Sequence, residues 1–143
     1  MNRRTLFRGF TLIELMVVIL ILAILAALVV PRVLGKAAQA KVSKAQADLS
    51  TLSGEIQQFK LDCDRYPSTE EGLNALRVAP SDLSSKWKGP YIDKDIPNDP
   101  WGNQYHYQYP GQNGPETYDL YSYGSDNQPG GEGDAADIWN GSN

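Results

Sequence analysis

A chain of 143 residues with a formal net charge of −4 has room for one small domain beside an anchor or a tail. The acidic balance argues against a nucleic-acid partner, and a single cysteine, Cys63, excludes an intramolecular disulfide. With one histidine, His106, and no spacing of nucleophile, base and orienting group, the chain reads as a non-enzyme.

The first element is the run from Phe10 to Val30, whose only charge is Glu14. About 20 apolar helical residues at about 1.5 Å each cross a hydrocarbon core of roughly 30 Å, so the run has spanning length. Arg3, Arg4 and Arg8 precede it without an acid, which orients the N-terminus to the cytoplasm and the rest outside. Glu14 is the anomaly, because a carboxylate in lipid costs on the order of 2.5–3.5 kcal/mol and calls for a partner. A plain anchor that tolerates Glu14, and a secretory signal cleaved near Ala38-Gln39-Ala40, are the competing readings. The apolar run exceeds the usual length of about 7–15 residues for such a signal.

Pro31 either ends this segment or kinks a longer helix. Val42, Ala45, Leu49, Leu52, Ile56 and Phe59 then step by threes and fours, predicting an amphipathic helix with one buried stripe. Small residues at Ala37, Ala38, Ala40 and Ala47 allow close approach of other helices. An unbroken helix from Phe10 to about Cys63 would be roughly 80 Å long. Asp62 to Pro67 breaks the pattern, since Pro67 biases Tyr66 away from helix. Ser68 and Glu71 have capping-box spacing and predict a short helix or turn from Ser68 or Thr69 that ends by Pro80.

Proline density from Trp87 to Trp101 rules out central strands there. Trp87, Tyr91, Ile92, Ile96 and Trp101 are expected to clamp this loop to the helix stripe. Residues 104–109 alternate as Q-Y-H-Y-Q-Y, placing Tyr105, Tyr107 and Tyr109 on one strand face and His106 on the other, as a surface residue. Residues 117–123 read as the partner strand, and a meander laid on the long helix follows. From Gly124 onward, Asp126, Glu132, Asp134 and Asp137 crowd a glycine-rich stretch. Such hard oxygens on a flexible backbone suit calcium, and equally a solvated acidic tail.

The letters R-G-F-T-L-I-E-L resemble the processing site of type IV pilins and pseudopilins. The resemblance implies that a prepilin peptidase cuts after Gly9 and that the new N-terminus, Phe10, is methylated. It further implies that Glu14 pairs with the Phe10 amine of a neighbouring subunit. Loss of Met1–Gly9 would remove three arginines and shift the net charge from −4 to −7. Y-P-S-T-E-E-G-L-N-A-L, G-P-Y-I, N-D-P-W-G-N-Q-Y and D-L-Y-S-Y-G-S-D with G-G-E-G-D-A-A-D-I resemble the major pseudopilins of the type II secretion system.

That family implies an α+β, pilin-like fold in which a long N-terminal helix packs on a small three-stranded antiparallel sheet. It implies the divisions 1–9 leader, 10–30 membrane and fibre-core helix, 31–63 amphipathic continuation, and 64–143 periplasmic region. It implies a subunit that polymerises into a helical periplasmic fibre supporting export of folded proteins through the outer membrane. Its partners would be other copies, minor pseudopilins, an inner-membrane assembly platform and the prepilin peptidase. The location would be the inner membrane of a Gram-negative cell, crossed once, with the C-terminal domain in the periplasm. Calcium is implied in the C-terminal loop, held by Asp126 and Asp137, with Asp134 and the backbone oxygens of Tyr123 and Gln128 as further ligands. The chain departs from the family at Cys63, where a polar turn residue is expected, and at Trp139-Asn140-Gly141, where glycine normally precedes Asn-Trp. A type IV pilin for adhesion or motility is the alternative, although many of those carry a C-terminal cysteine pair that this chain lacks.

Overall fold

The apolar run and the amphipathic stripe belong to one helix. In the computed structural model, which describes residues 9–140 and leaves out the side chains of 29–34, α1 spans Leu12–Cys63. Thr11 caps its start: the Glu14 N–H donates to Thr11 Oγ1 at 3.3 Å, satisfying one of the orphan amides of the first turn. Its end follows from Asp64, whose φ of 60° is left-handed and whose N–H donates to the Lys60 carbonyl at 2.9 Å.

The chain divides into two compact units, 1–37 and 38–143. In the first, the large apolar side chains from Phe10 to Leu28 are exposed on every side of the helix. A helix apolar all round is one built to be covered. Among the described residues no helix is long and apolar enough to cross a membrane; the apolar letters continue through Val29 and Val30.

In the second unit the stripe is buried as its spacing predicts: Ala45, Leu49, Leu52, Ile56 and Phe59 form the core, with Val42 half-covered beside them. Cys63 is no turn residue. It lies four positions after Phe59 and continues the stripe into the core, where burial pushes its thiol pKa up. Trp87, Tyr91, Ile92, Ile96 and Trp101 pack against the same core, which holds the proline-rich loop in place.

The sheet has the order β1 (His106–Gln108), β2 (Asp119–Ser122), β3 (Ile138–Trp139), all antiparallel. β1 is shorter than the alternating letters predict, for a local reason. The Tyr109 N–H and C=O are both taken by the Thr69 hydroxyl, at 2.9 and 2.8 Å, so that residue leaves the ladder. Thr117 is likewise held in the connecting turn by Gly111 and Gly114, which delays the start of β2. Tyr105, Leu120 and Ile138 are buried. On the opposite face His106 stacks on Tyr121 at 5.1 Å and Tyr121 on Trp139 at 4.2 Å, a cross-strand ladder of rings. His106 therefore faces away from the buried Tyr105 and the half-buried Tyr107 and Tyr109, and is itself half-covered by this ladder.

The capping box forms as its spacing requires. The Glu71 N–H donates to Ser68 Oγ at 3.2 Å and the Ser68 N–H to Glu71 Oε2 at 2.7 Å. The turns it opens lead into a 3₁₀ helix at Gly72–Leu76, which buries Leu73, Ala75 and Leu76.

Candidate functional site

The C-terminal loop begins at Gly124, which is buried with a φ of 70°. A Cβ there would lie 2.7 Å from the Asp134 carbonyl oxygen and 2.9 Å from that of Ala136. Only glycine permits so close an approach. The loop thus folds back so that its second half lays carbonyl oxygens against its first residue. Asp126 ends a 3₁₀ turn at Gly124–Asp126, and Asp134 lies in a second at Gly133–Ala135. The two turns touch.

The carboxylates of this loop organise its backbone. Asp126 Oδ1 accepts the Gln128 N–H at 3.1 Å around a left-handed Asn127. Asp137 Oδ1 accepts the Gly130 N–H at 3.0 Å, joining the loop's middle to its end. Asp126 is exposed, while Asp134 and Asp137 are half-buried. Asp137 also lies within electrostatic reach of Tyr121, whose phenol is pushed up to about 12, chiefly by burial.

Among the described residues no three His, Cys, Asp or Glu side chains group where they would hold a metal ion. Asp126, Asp134 and Asp137 therefore do not make a carboxylate cage. The donor chemistry nonetheless fits calcium, which takes six to eight oxygens and accepts backbone carbonyls readily. Two carboxylates, each using Oδ1 for a backbone amide among the described hydrogen bonds, flank a loop whose carbonyls converge on Gly124.

A carboxylate outside the acidic stretch is linked to this loop through Ser122. Asp99 is buried, and its Oδ1 accepts the N–H of Trp101 at 3.1 Å and of Asn103 at 2.8 Å. Its Oδ2 accepts the hydroxyl of Ser122 at 2.6 Å. The letters N-D-P-W-G-N held the signal, since an aspartate before proline and glycine is a side-chain-braced turn.

A second network, centred on Arg65, closes the helix end. Arg65 makes paired bonds to Glu71, at 2.8 and 2.7 Å, and reaches Asp82 and the Tyr66 carbonyl, both at 3.0 Å. The Arg65 guanidinium holds the Glu71 carboxyl below its usual range. Lys88 does the same for Asp62, and Lys86 for Asp64. Burial pushes the Tyr91 phenol, which donates to Asp62, up to about 12.

At the other end, Gly9 and Phe10 are exposed and precede the helix, and Glu14 lies exposed in its first turn. The expected leader, Met1–Gly9, falls outside the described residues apart from Gly9.

Residues 32–141 match the family described as "Type II secretion system (T2SS), protein G". The chain belongs to that family. Residues 4–30 match the "Prokaryotic N-terminal methylation motif". The chain is 48% identical over 134 residues to the type II secretion system core protein G of Pseudomonas aeruginosa, covering 92% of this chain and 93% of that one. It is 46% identical over 134 residues to the core protein G of Vibrio cholerae, covering 92% and 90%. Its fold is similar to the crystal structure of the major pseudopilin from the type 2 secretion system of enterohaemorrhagic Escherichia coli. The TM-score is 0.59 at 35% identity, over 75% of this chain and 91% of that one. As a protein G, the chain is a structural subunit of the type II secretion pseudopilus. The long helix and three-stranded antiparallel sheet are the architecture that this membership implies.

Proposed function

We propose that the chain is cut after Gly9 by a prepilin peptidase, methylated at Phe10, and held in the inner membrane by Phe10–Val30, with its C-terminal domain in the periplasm. Subunits then assemble on an inner-membrane platform, with minor pseudopilins, into a helical fibre that supports export of folded proteins. One observation carries the reading: a methylation motif over 4–30 leads directly into a protein G domain over 32–141. The exposure of apolar side chains on every side of the first unit supports it, since such a helix needs lipid or other copies around it.

Glu14 supplies the register. A carboxylate surrounded by apolar residues is costly unless paired. The Phe10 amine of a neighbouring copy provides that pair. The C-terminal loop takes one calcium ion through Asp126 and Asp137, with Asp134 and the backbone oxygens of Tyr123 and Gln128 as further donors. Bound calcium supplies the charge that ties the loop's two ends together. Ordering such a glycine-rich segment costs roughly 1–2 kcal/mol of backbone entropy per residue, and whatever binds the folded form alone offsets it.

Mass spectrometry of the membrane-extracted chain tests the processing, with N-methylated Phe10 as the expected first residue. An intact Met1, or a start at Lys41, would refute it. Glu14→Ala should leave folded monomer in the membrane without fibres, and normal fibres from that variant would refute the pairing. Calcium should raise the melting temperature and protect the C-terminus from proteases, effects lost in Asp126→Ala and Asp137→Ala. No change at millimolar calcium would leave the loop a solvated acidic tail.

A further inference from the structure

We propose that Asp99 and Ser122 position the C-terminal loop for its cation by fixing the amide of Gly124. The inference rests on the calcium reading above, but it concerns residues that contact no cation.

Asp99, Ser122 and Gly124 are all buried. A buried carboxylate is tolerable only when its oxygens are fully engaged. Two of the three hydrogen bonds described for the Asp99 carboxylate come from its own turn, the amides of Trp101 and Asn103. The third, from Ser122, is the one that leaves the turn, and at 2.6 Å it is the shortest. Because Ser122 spends its proton on Asp99, its oxygen is left to accept. It accepts the Gly124 N–H at 3.1 Å. The charge on Asp99 thereby sets the polarity of the whole relay: carboxylate, hydroxyl, amide.

Gly124 is where that polarity matters. Its α-carbon is the surface against which the carbonyls of Asp134 and Ala136 rest. Releasing its amide lets the first residue of the loop swing and spreads the oxygens gathered over it. Nothing in the relay ligates. Asp99 sits on the turn between the proline-rich loop and β1, and Ser122 ends β2. Both are positioning residues, and they tie the loop to the rigid sheet rather than to its own glycines.

The test is calcium titration by calorimetry on the full-length chain in detergent, comparing wild type with Ser122→Ala and Asp99→Asn. The Asp99→Asn amide keeps an oxygen for the N–H groups of Trp101 and Asn103 but no longer accepts the Ser122 proton. Melting in chelator reports the fold without the ion. Ser122→Ala, which deletes the acceptor of the Gly124 amide, should bind calcium about tenfold more weakly, the scale of one net hydrogen bond. Asp99→Asn, which turns an N–H group toward Ser122 Oγ and strands the Ser122 proton, should fall between that variant and wild type. The melting temperatures of both variants should fall further below wild type with calcium than in chelator. Wild-type affinity in Ser122→Ala, or equal losses of melting temperature with and without calcium, would overturn the inference and leave the relay a fold brace. Absence of calcium binding to the wild type would instead overturn the calcium reading, and this inference with it.

Discussion

Replacing Arg65 with methionine isolates what the charge at the end of α1 contributes. Methionine keeps an unbranched apolar stem and removes the guanidinium. The variant loses paired bonds to Glu71, whose side chain is 22% exposed against 32% for Arg65. It also loses a bond to Asp82, which at 63% exposure adds little. A bond to a charged group is worth about 1.5–3 kcal/mol, and partial solvation places this pair toward the lower end, near 2 kcal/mol. For a domain of about 100 residues that corresponds to a fall of about 10 °C in melting temperature. The same bonds depress the Glu71 carboxyl from its ordinary 4.5. A carboxyl depressed by folding contributes its full stability above the unfolded value and loses it as pH falls through the folded one. Thermal melting of wild type and Arg65→Met at pH 7 and near pH 3 should therefore show a gap that narrows in acid. The wild type loses there what the variant never had. An undiminished gap near pH 3 would mean that Arg65 acts through the packing of its stem, and would refute the electrostatic argument.

Phe59→Ala should be the more damaging change, at about 3–5 kcal/mol, because Phe59 is fully buried and sets edge-on to Tyr91 at 5.8 Å; denaturant unfolding measures it, and a loss below about 1 kcal/mol would contradict the packing described. Burial raises the phenols of Tyr105, Tyr107 and Tyr121, the last to about 12. Phenols that stay protonated longer in the fold stabilise it fully below about pH 10 and lose that contribution as pH rises to about 12. Ultraviolet titration should accordingly show these phenolates appearing only as circular dichroism is lost, whereas ionisation of all eight tyrosines near pH 10 with an intact spectrum would refute their burial.

Much of the fold was legible because the helix period repeats without interruption. Ala45, Leu49, Leu52, Ile56 and Phe59 sit where the threes and fours place them, and Ser68 with Glu71 closes the capping box that its spacing implies. Thr11 and Glu14 carry the same T-x-x-E spacing at the head of α1. There the charge of Glu14 marks an anomaly in an apolar run, while the contact that caps the helix is to its backbone amide, which Thr11 holds. Cys63 stands where the family resemblance implies a polar turn residue, yet four positions after Phe59 it continues the buried stripe. The third strand follows from the family resemblance and not from its own letters, since two residues, Ile138 and Trp139, are too few to alternate; register against Tyr121 and Ser122 makes them a strand. The loop's acidic residues could be found by composition. Its support could not, because Asp99 and Ser122 are 23 positions apart and no local pattern brings them together.

Secretion itself tests the central claim, that this chain is a working subunit of the pseudopilus. The measurement is the distribution of type II cargo between periplasm and medium in the cell of origin after its gene is deleted. The account predicts that folded cargo accumulates in the periplasm. The wild-type gene should restore export, and Glu14→Ala should not. Undiminished export from the deleted strain, with no second copy of the gene present, would contradict it.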